Sequence, residues 1–183
     1  MKPILFNTEM VRAILEGRKS CTRRAVKPQP PATSVIRKRG CAWDWSFWAD
    51  CDMGHLMQMP YQPGDILWVR ETWAKSMAGT FMYKADGKAI MVDRWRPSIH
   101  MPREAARLFL RVKEVSVEKL REISALSAMD EGVTDWNDFV RLWNTTIKSA
   151  DLPLYGWEAN PWVFVIEFER ISKDEALGGG GDG

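Results

Sequence analysis

Lys19, Ser20, Cys21 and Thr22 set an amine, two hydroxyls and a thiol side by side, flanked by Arg18 and by Arg23-Arg24. An amine whose proton affinity is lowered by burial and by cationic neighbours can take the proton of a hydroxyl. The hydroxyl can then attack an amide carbon. Lys19 and Thr22 are three positions apart, so an extended segment brings them together only where it kinks. Cys21 is a second nucleophile of the stretch, because Lys19 and Arg23 favour its thiolate; it ranks below Thr22, since no histidine is near it in sequence. The same cations can instead hold phosphate. From Arg18 to Arg39 the chain carries Arg18, Lys19, Arg23, Arg24, Lys27, Arg37, Lys38 and Arg39 with no acidic residue among them. Such an excess attracts phosphates, although a solvated basic loop has the same composition.

Other residues invite weighing. Glu71-Thr72-Trp73 follows an apolar run and precedes a loop, a place where site residues gather. Glu71 can accept from the amino group of a base, and Trp73 can stack on it. An ion pair with an arginine and a core tryptophan fit the same residues. Cys41, Cys51 and His55, with Cys21 far away in sequence, match no standard zinc spacing, so no metal and no cofactor is expected.

The elements that must position these groups are legible in part. Asn7 or Thr8 caps a helix over Thr8–Glu16, with Glu9 in its first turn and Met10, Val11, Ile14 and Leu15 on one face. Gly17 ends it in a left-handed conformation, and Lys19 to Val26 reads as extended. Lys27-Pro28-Gln29-Pro30-Pro31 is a stiff loop. Residues 32–60 have poor periodicity and hold Trp43, Trp45, Phe47 and Trp48, which reads as an insertion, a β-hairpin arm, suited to a protein partner. Pro63-Gly64 makes a turn, and Ile66–Arg70 a strand. Thr80–Ala85 and Ala106–Val117 follow as strands. In the second, Leu108, Leu110, Val112 and Val115 alternate with polar residues apart from one irregularity. Ser124 or Ser127 caps a short helix ended by Gly132. Asp135 caps a longer one whose Trp136, Phe139, Val140, Trp143 and Ile147 share a face and belong to the core. Trp162–Arg170 is a buried last strand.

An α+β fold that opens with a helix and closes with a strand follows from this order. The chain has 183 residues, and 45% of them are hydrophobic. That suits one domain over residues 1–173 with a flexible glycine-rich tail at 174–183. The net charge of +2 does not by itself point to nucleic acid, but ten tryptophans supply many faces on which a base can stack. No apolar run reaches membrane-span length, no signal peptide is visible at the N-terminus, and three cysteines do not suggest a disulfide framework. A cytoplasmic protein is expected.

Four blocks resemble a known family. Gly17-Arg18-Lys19-Ser20-Cys21-Thr22-Arg23-Arg24 resembles the G-R-K-T-x-T-x-R signature of ASCH domains, relatives of the PUA RNA-binding fold, with Ser20 where threonine is common. Pro63–Val69 resembles their x-G-D-x-L-x-V turn and strand, Ala128–Val133 their A-x-x-E-G segment, and Trp162–Ile171 their closing strand. The longer form with Trp68-Val69-Arg70-Glu71-Thr72-Trp73 looks like the ASCH proteins of bacteriophages and prophages, which implies a bacterial host cytoplasm. The resemblance implies a small mixed PUA-like β-barrel with flanking helices and a Trp-rich insertion. It also implies RNA, a nucleoside or a nucleotide as partner. Some compact bacterial members remove the acetyl group of N4-acetylcytidine with a lysine, a threonine and a glutamate. By motif position these are Lys19, Thr22 and Glu131 here. The basic run supplies Arg18, Arg23, Arg24 and Lys27 for phosphate, and the strand exit supplies Glu71 and Trp73 for the base. A non-catalytic RNA-binding or host-interaction module is the other reading.

Overall fold

The computed structural model describes residues 1–31, 35–38, 45–48, 55–56, 59–87, 92 and 94–178, with backbone alone for 35–38, 45–48 and 55–56. Its elements are β1 (Lys2–Leu5), α1 (Thr8–Leu15), β2 (Cys21–Ala25), β3 (Val35–Lys38), β4 (Trp45–Trp48), β5 (His55–Leu56), β6 (Ile66–Arg70), β7 (Trp73–Lys75) and β8 (Phe81–Tyr83). They continue with β9 (Phe109–Lys119), α2 (Ala125–Met129), α3 (Trp136–Thr146), α4 (Leu152–Tyr155), β10 (Trp162–Ile171) and α5 (Lys173–Ala176), so the fold is mixed α+β. The main sheet has the order β1-β6-β9-β10-β2, and a two-stranded sheet pairs β7 with β8.

The chain opens with a strand, not with the expected helix. Lys2-Pro3-Ile4-Leu5 is too short to show a period. It becomes a strand by lying parallel on β6, with Lys2 opposite Leu67. Pro3 has no N–H to give, which an edge strand tolerates. The helix itself forms as its pattern predicts. Asn7 Oδ1 accepts from the Met10 amide at 2.8 Å, and Met10, Val11, Ala13 and Ile14 are buried.

The irregularity in the long strand has a physical reason. In the antiparallel β9–β10 pair, Glu167 faces Glu114 and Phe168 faces Val112, so Lys113 has no partner. Side chains alternate with period two, and one extra residue reverses which face they take. The bulge at Lys113 therefore lets Leu108, Leu110 and Val112 on one side of it, and Val115 and Val117 on the other, enter the same core. That core also holds Ile4, Val11, Ile14, Leu67 and Ile166. A second core lies on the opposite face of β10, where Cys21, Val163 and Val165 meet Phe139 and Trp143 of α3.

The sheet is curled. Its two edge strands are joined by a side chain, because Arg24 Nη2 of β2 donates to the Leu5 carbonyl of β1 at 2.7 Å. Laid flat, five strands would hold these edges about 19 Å apart, beyond the reach of an arginine.

Other expectations shift. The strand over Thr80–Ala85 stops at Tyr83 and tightens into a 3-10 turn over Lys84–Asp86. In α3, Phe139 and Trp143 are 2% and 5% exposed, but Trp136 is 40% exposed and Val140 half-buried. Trp136 is the first residue of its helix and meets Trp157 edge-on at 5.4 Å with its remaining surface in solvent. In the Trp-rich segment β3, β4 and β5 form a three-stranded antiparallel sheet, one strand more than a hairpin. Cys41, Trp43, Cys51, the side chains of Trp45, Phe47, Trp48 and His55, and tail residues 179–183 lie outside the described residues. No helix among the described residues is long and apolar enough to cross a membrane.

Candidate functional site

The stretch that carries the chemistry is laced to the end of α2. Gly17 takes φ 75°, and the chain turns so that the amides of Arg18 and Lys19 both donate to the Ala13 carbonyl at 2.8 and 3.1 Å. Lys19 and Glu131 then form an antiparallel bridge. The amides of Ser20 and Cys21 donate to the Asp130 carbonyl at 2.9 and 3.1 Å. Gly132 follows at φ 85°, a conformation that disfavours any side chain. A Cβ there would stand 2.6 Å from the Ala13 Cβ and 3.1 Å from the Lys19 Cβ. Glycine at this position is what lets α1, Lys19 and the end of α2 close on one another.

The backbone bridge brings Lys19 and Glu131 together. Lys19 Nζ donates to Glu131 Oε2 at 2.6 Å and to the Glu131 carbonyl at 3.0 Å. Glu131 Oε1 accepts from Arg23 Nη1 at 3.3 Å. Arg23 also donates from Nε to Glu118 Oε1 at 2.7 Å and from Nη2 to Ser127 Oγ at 2.6 Å. The side chains of Lys19 and Glu131 are 0% and 5% exposed. Burial holds the Lys19 ammonium below its ordinary 10.5; the charge of Glu131 and its hydrogen bond oppose that shift without overcoming it.

Thr22 is buried on the other face of β2 from Arg23. It lies opposite Ile166, and Arg24 lies opposite Phe164. Both of those residues belong to the core that holds Phe6, and directly opposed residues share a face. Lys19 Nζ and the Arg24 guanidinium approach the Phe6 ring at 5.6 and 5.5 Å. Thr22 and Lys19 thus address one core around Phe6. No described residue hydrogen-bonds the Thr22 hydroxyl.

Cys21 differs from its expectation as a thiolate favoured by cations. Its thiol is pushed up to about 12, chiefly by burial and next by Glu131, against the pull of Arg23 and Lys19. It is a neutral core group. The sequence shows its basic neighbours but not the apolar residues of α3 that cover it.

Of the five members of the basic run whose side chains are described, Arg18, Lys19 and Arg23 have a carboxylate partner. Arg18 donates to Glu16 Oε2 and to the Gly132 carbonyl at 2.8 and 2.7 Å and remains at the surface. Lys27 Nζ sits 4.4 Å from the centre of the Tyr155 ring. The side chains of Arg37, Lys38 and Arg39 lie outside the described residues.

Glu71 and Trp73 stand together at the exit of β6, apart from Lys19. The buried Glu71 carboxylate accepts from Arg107 Nε and Nη2 at 2.8 and 3.0 Å. Arg107 Nη1 reaches Asp86 Oδ1 at 2.7 Å, and its guanidinium lies 3.9 Å from the Tyr83 ring centre. Burial raises the Glu71 carboxyl above its usual range, opposed by Arg107. The Trp73 ring is buried with Met101 and Ala105, and the Arg96 guanidinium lies 5.1 Å from its centre. Sequence reasoning did not find Arg107, Glu118 or Ser127, because nothing in their own segments marks them as partners of these charges.

A cavity of about 500 Å³ opens beside the centre, with Arg18, Glu131, Gly132, Val133, Met10 and Leu142 in its wall. Among the predicted trio, Glu131 is the member in that wall. Among the described residues, no group of three or more His, Cys, Asp or Glu could hold a metal ion.

No family model matches the chain. No curated protein matches it. The crystal structure of protein EF3133 from Enterococcus faecalis V583, described with the family model DUF984, is similar at 12% identity and a TM-score of 0.48, over 94% of this chain and 82% of that one.

Proposed function

We propose that the chain is an RNA- or nucleotide-binding domain of the ASCH, PUA-like type whose buried centre hydrolyses an acyl amide such as that of N4-acetylcytidine. The observation that carries this reading is the 2.6 Å contact of Lys19 Nζ with Glu131 Oε2 inside the protein. A lysine with a lowered proton affinity is neutral, and so able to act as a base, at lower pH than an ordinary lysine, and a carboxylate fixed against it orients the amine. In the proposed step Lys19 takes the Thr22 proton and Thr22 Oγ bonds to the acyl carbon. The bond to N4 breaks, and the proton passes to N4 of the leaving cytidine. Water then releases acetate and restores Thr22. In the finer fold of this reading the curled sheet is a small barrel, supported by the Arg24–Leu5 bond between its edges. Phosphate contacts fall to Arg18 and Lys27, which lie at the surface. Arg23 and Arg24 hold Glu131 and Leu5 instead, and Glu71 and Trp73 frame the strand exit.

Cytidine release from N4-acetylcytidine is the test. Wild type should turn over, and Lys19→Ala, Thr22→Ala and the double variant should lose similar activity, because residues acting as a unit are not additive. Activity that survives Lys19→Ala rejects these roles. Folded wild type without turnover on this nucleoside or its N4-acyl analogues leaves the second reading, a non-catalytic RNA-binding or host-interaction module. The enclosure of Lys19 and Glu131 favours that alternative, since their side chains are 0% and 5% exposed.

A further inference from the structure

Three segments meet at the exit of β7. Lys75 ends that strand opposite Phe81. Arg96 bridges Trp73 through its backbone, with its amide donating to the Trp73 carbonyl at 2.7 Å and the Trp73 amide donating to the Arg96 carbonyl at 3.2 Å. Pro97 leads into the 3-10 turn Ser98–His100. Between them lies a cavity of about 450 Å³ lined by Lys75, Arg94, Arg96, Pro97 and His100. We propose that this cavity is a phosphate-binding site for a nucleotide or an RNA strand, separate from the Lys19–Glu131 centre.

Among the described residues the wall has three permanent cations and a histidine, and no carboxylate. Among the described residues, too, none of the four is in an ion pair. That sets them apart from Arg18, Lys19, Arg23 and Arg24, each of which is held by an oxygen. Like charges gathered in a concave wall repel one another, and the low-dielectric protein behind them focuses their field outward. An anion relieves that repulsion. Phosphate suits the set because guanidinium forks match its oxygens in pairs while lysine acts as a point charge. The volume lies in the range of a cleft for a small organic ligand.

Two of the cations are placed rather than loose. The Arg96 guanidinium lies on the buried Trp73 ring, and Lys75 Nζ sits 5.2 Å from the Phe81 ring centre. Trp73 and Phe81 in turn pack at 5.7 Å. Holding long side chains in place lowers the entropy lost on binding. The Trp73 Nε1 donor is also buried and has no partner among the described residues.

The cavity sits at the end of the sheet that carries the proposed centre. The Phe6 amide donates to the Arg70 carbonyl at 3.1 Å, Arg70 Nη2 donates to the Ile99 carbonyl, and His100 follows. The site shares with the proposed function only its class of ligand and needs no chemistry at Lys19.

The test compares wild type with the double variant Lys75→Gln/Arg94→Gln, whose residues are exposed and whose folding is checked by circular dichroism. Probes are a labelled single-stranded RNA of about a dozen nucleotides, followed by anisotropy across salt, and ATP, followed by calorimetry. Each phosphate neutralised on a single strand contributes about 0.7 to the slope of log affinity against log salt. Loss of two cations should therefore weaken RNA binding at least about tenfold at low salt and flatten the slope by about 1.4. If RNA binding falls and ATP binding does not, the ligand is a strand; if ATP binding falls as well, it is a nucleotide phosphate. Unchanged affinity and slope for both probes, or no binding of either by wild type, overturns the site. Failure of N4-acetylcytidine turnover with this slope present rejects the proposed hydrolysis and not the cavity.

Discussion

At the Lys19 centre, Lys19 and Arg23 share the carboxylate of Glu131 inside the protein, and Arg23 also reaches Glu118. At the exit of β7, Lys75, Arg94, Arg96 and His100 face a cavity with no acid among the described residues of its wall. The first group comes from a dense basic window of sequence, the second from scattered positions. A charge taken out of water must be paired, and its partner comes from wherever the fold brings an acid. A charge left at the surface is held by water and needs no partner. Local excess of basic residues therefore says little about which cations remain open to a ligand. Among the described residues, Lys19 and Arg23 of the dense window are paired inside the protein while the scattered residues at β7 are not.

The contrast is sharpest in stability. Glu131→Ala leaves Lys19 and Arg23 without their shared carboxylate, and breaking a buried pair on one side costs about 3–5 kcal/mol. Lys75→Gln and Arg94→Gln should each stay within about 0.5 kcal/mol. Urea unfolding measures both, and a cost for Glu131→Ala no larger than that of the surface changes would mean the centre is wet. The same division runs along α3. Trp143→Ala should cost about 3–5 kcal/mol; its Nε1 also donates to the Tyr155 carbonyl at 2.9 Å. Trp136→Ala, at the exposed start of the helix, should cost about 1 kcal/mol, and equal losses would erase the distinction.

Gly132→Ala probes the seam that joins the centre to α1. Forcing a side chain to φ 85° costs of order 1–3 kcal/mol, and the contact with Ala13 adds to it. Thermal unfolding should fall by several degrees. The proton affinity of Lys19 offers a functional contrast with an ordinary lysine. The neutral amine is the base, so turnover of N4-acetylcytidine should rise with pH and level off, with its midpoint below 10.5 because burial outweighs Glu131. A midpoint at or above 10.5 would mean that the carboxylate wins.

The smallest effect concerns Cys21. In a Cys41→Ser/Cys51→Ser background its thiol, pushed up to about 12, should resist iodoacetamide until the chain unfolds. The sign for stability follows. Between pH 9 and about 12 the unfolded chain ionises this thiol and the folded one does not, so its contribution is lost as pH rises. Rapid labelling of the folded protein would place Cys21 in an open, electropositive site instead.

Much of the scaffold around the centre is legible in the amino-acid sequence alone. The Asn7 cap, the apolar face of α1, the Gly17 stop, the Pro63-Gly64 turn and the Asp135 cap are each set by interactions within about four residues. A one-dimensional pattern carries that information directly. Even the bulge at Lys113 shows as a break in alternation between Val112 and Val115, because a buried face enforces its parity on the chain. The resemblance of short motifs singles out Lys19 and Glu131, which the fold brings into contact. What lies beyond the sequence is everything settled between distant segments. β1 becomes a strand only by lying on the edge of β6, and Trp136 stays exposed because no described element covers the start of α3. Glu71 meets Arg107, Arg23 meets Glu118, and Cys21 is neutralised by burial. The cavity at β7 gathers cations from positions 75, 94, 96 and 100. Pairing and desolvation depend on distance in space, and the local rules that make a helix or a turn are silent about it.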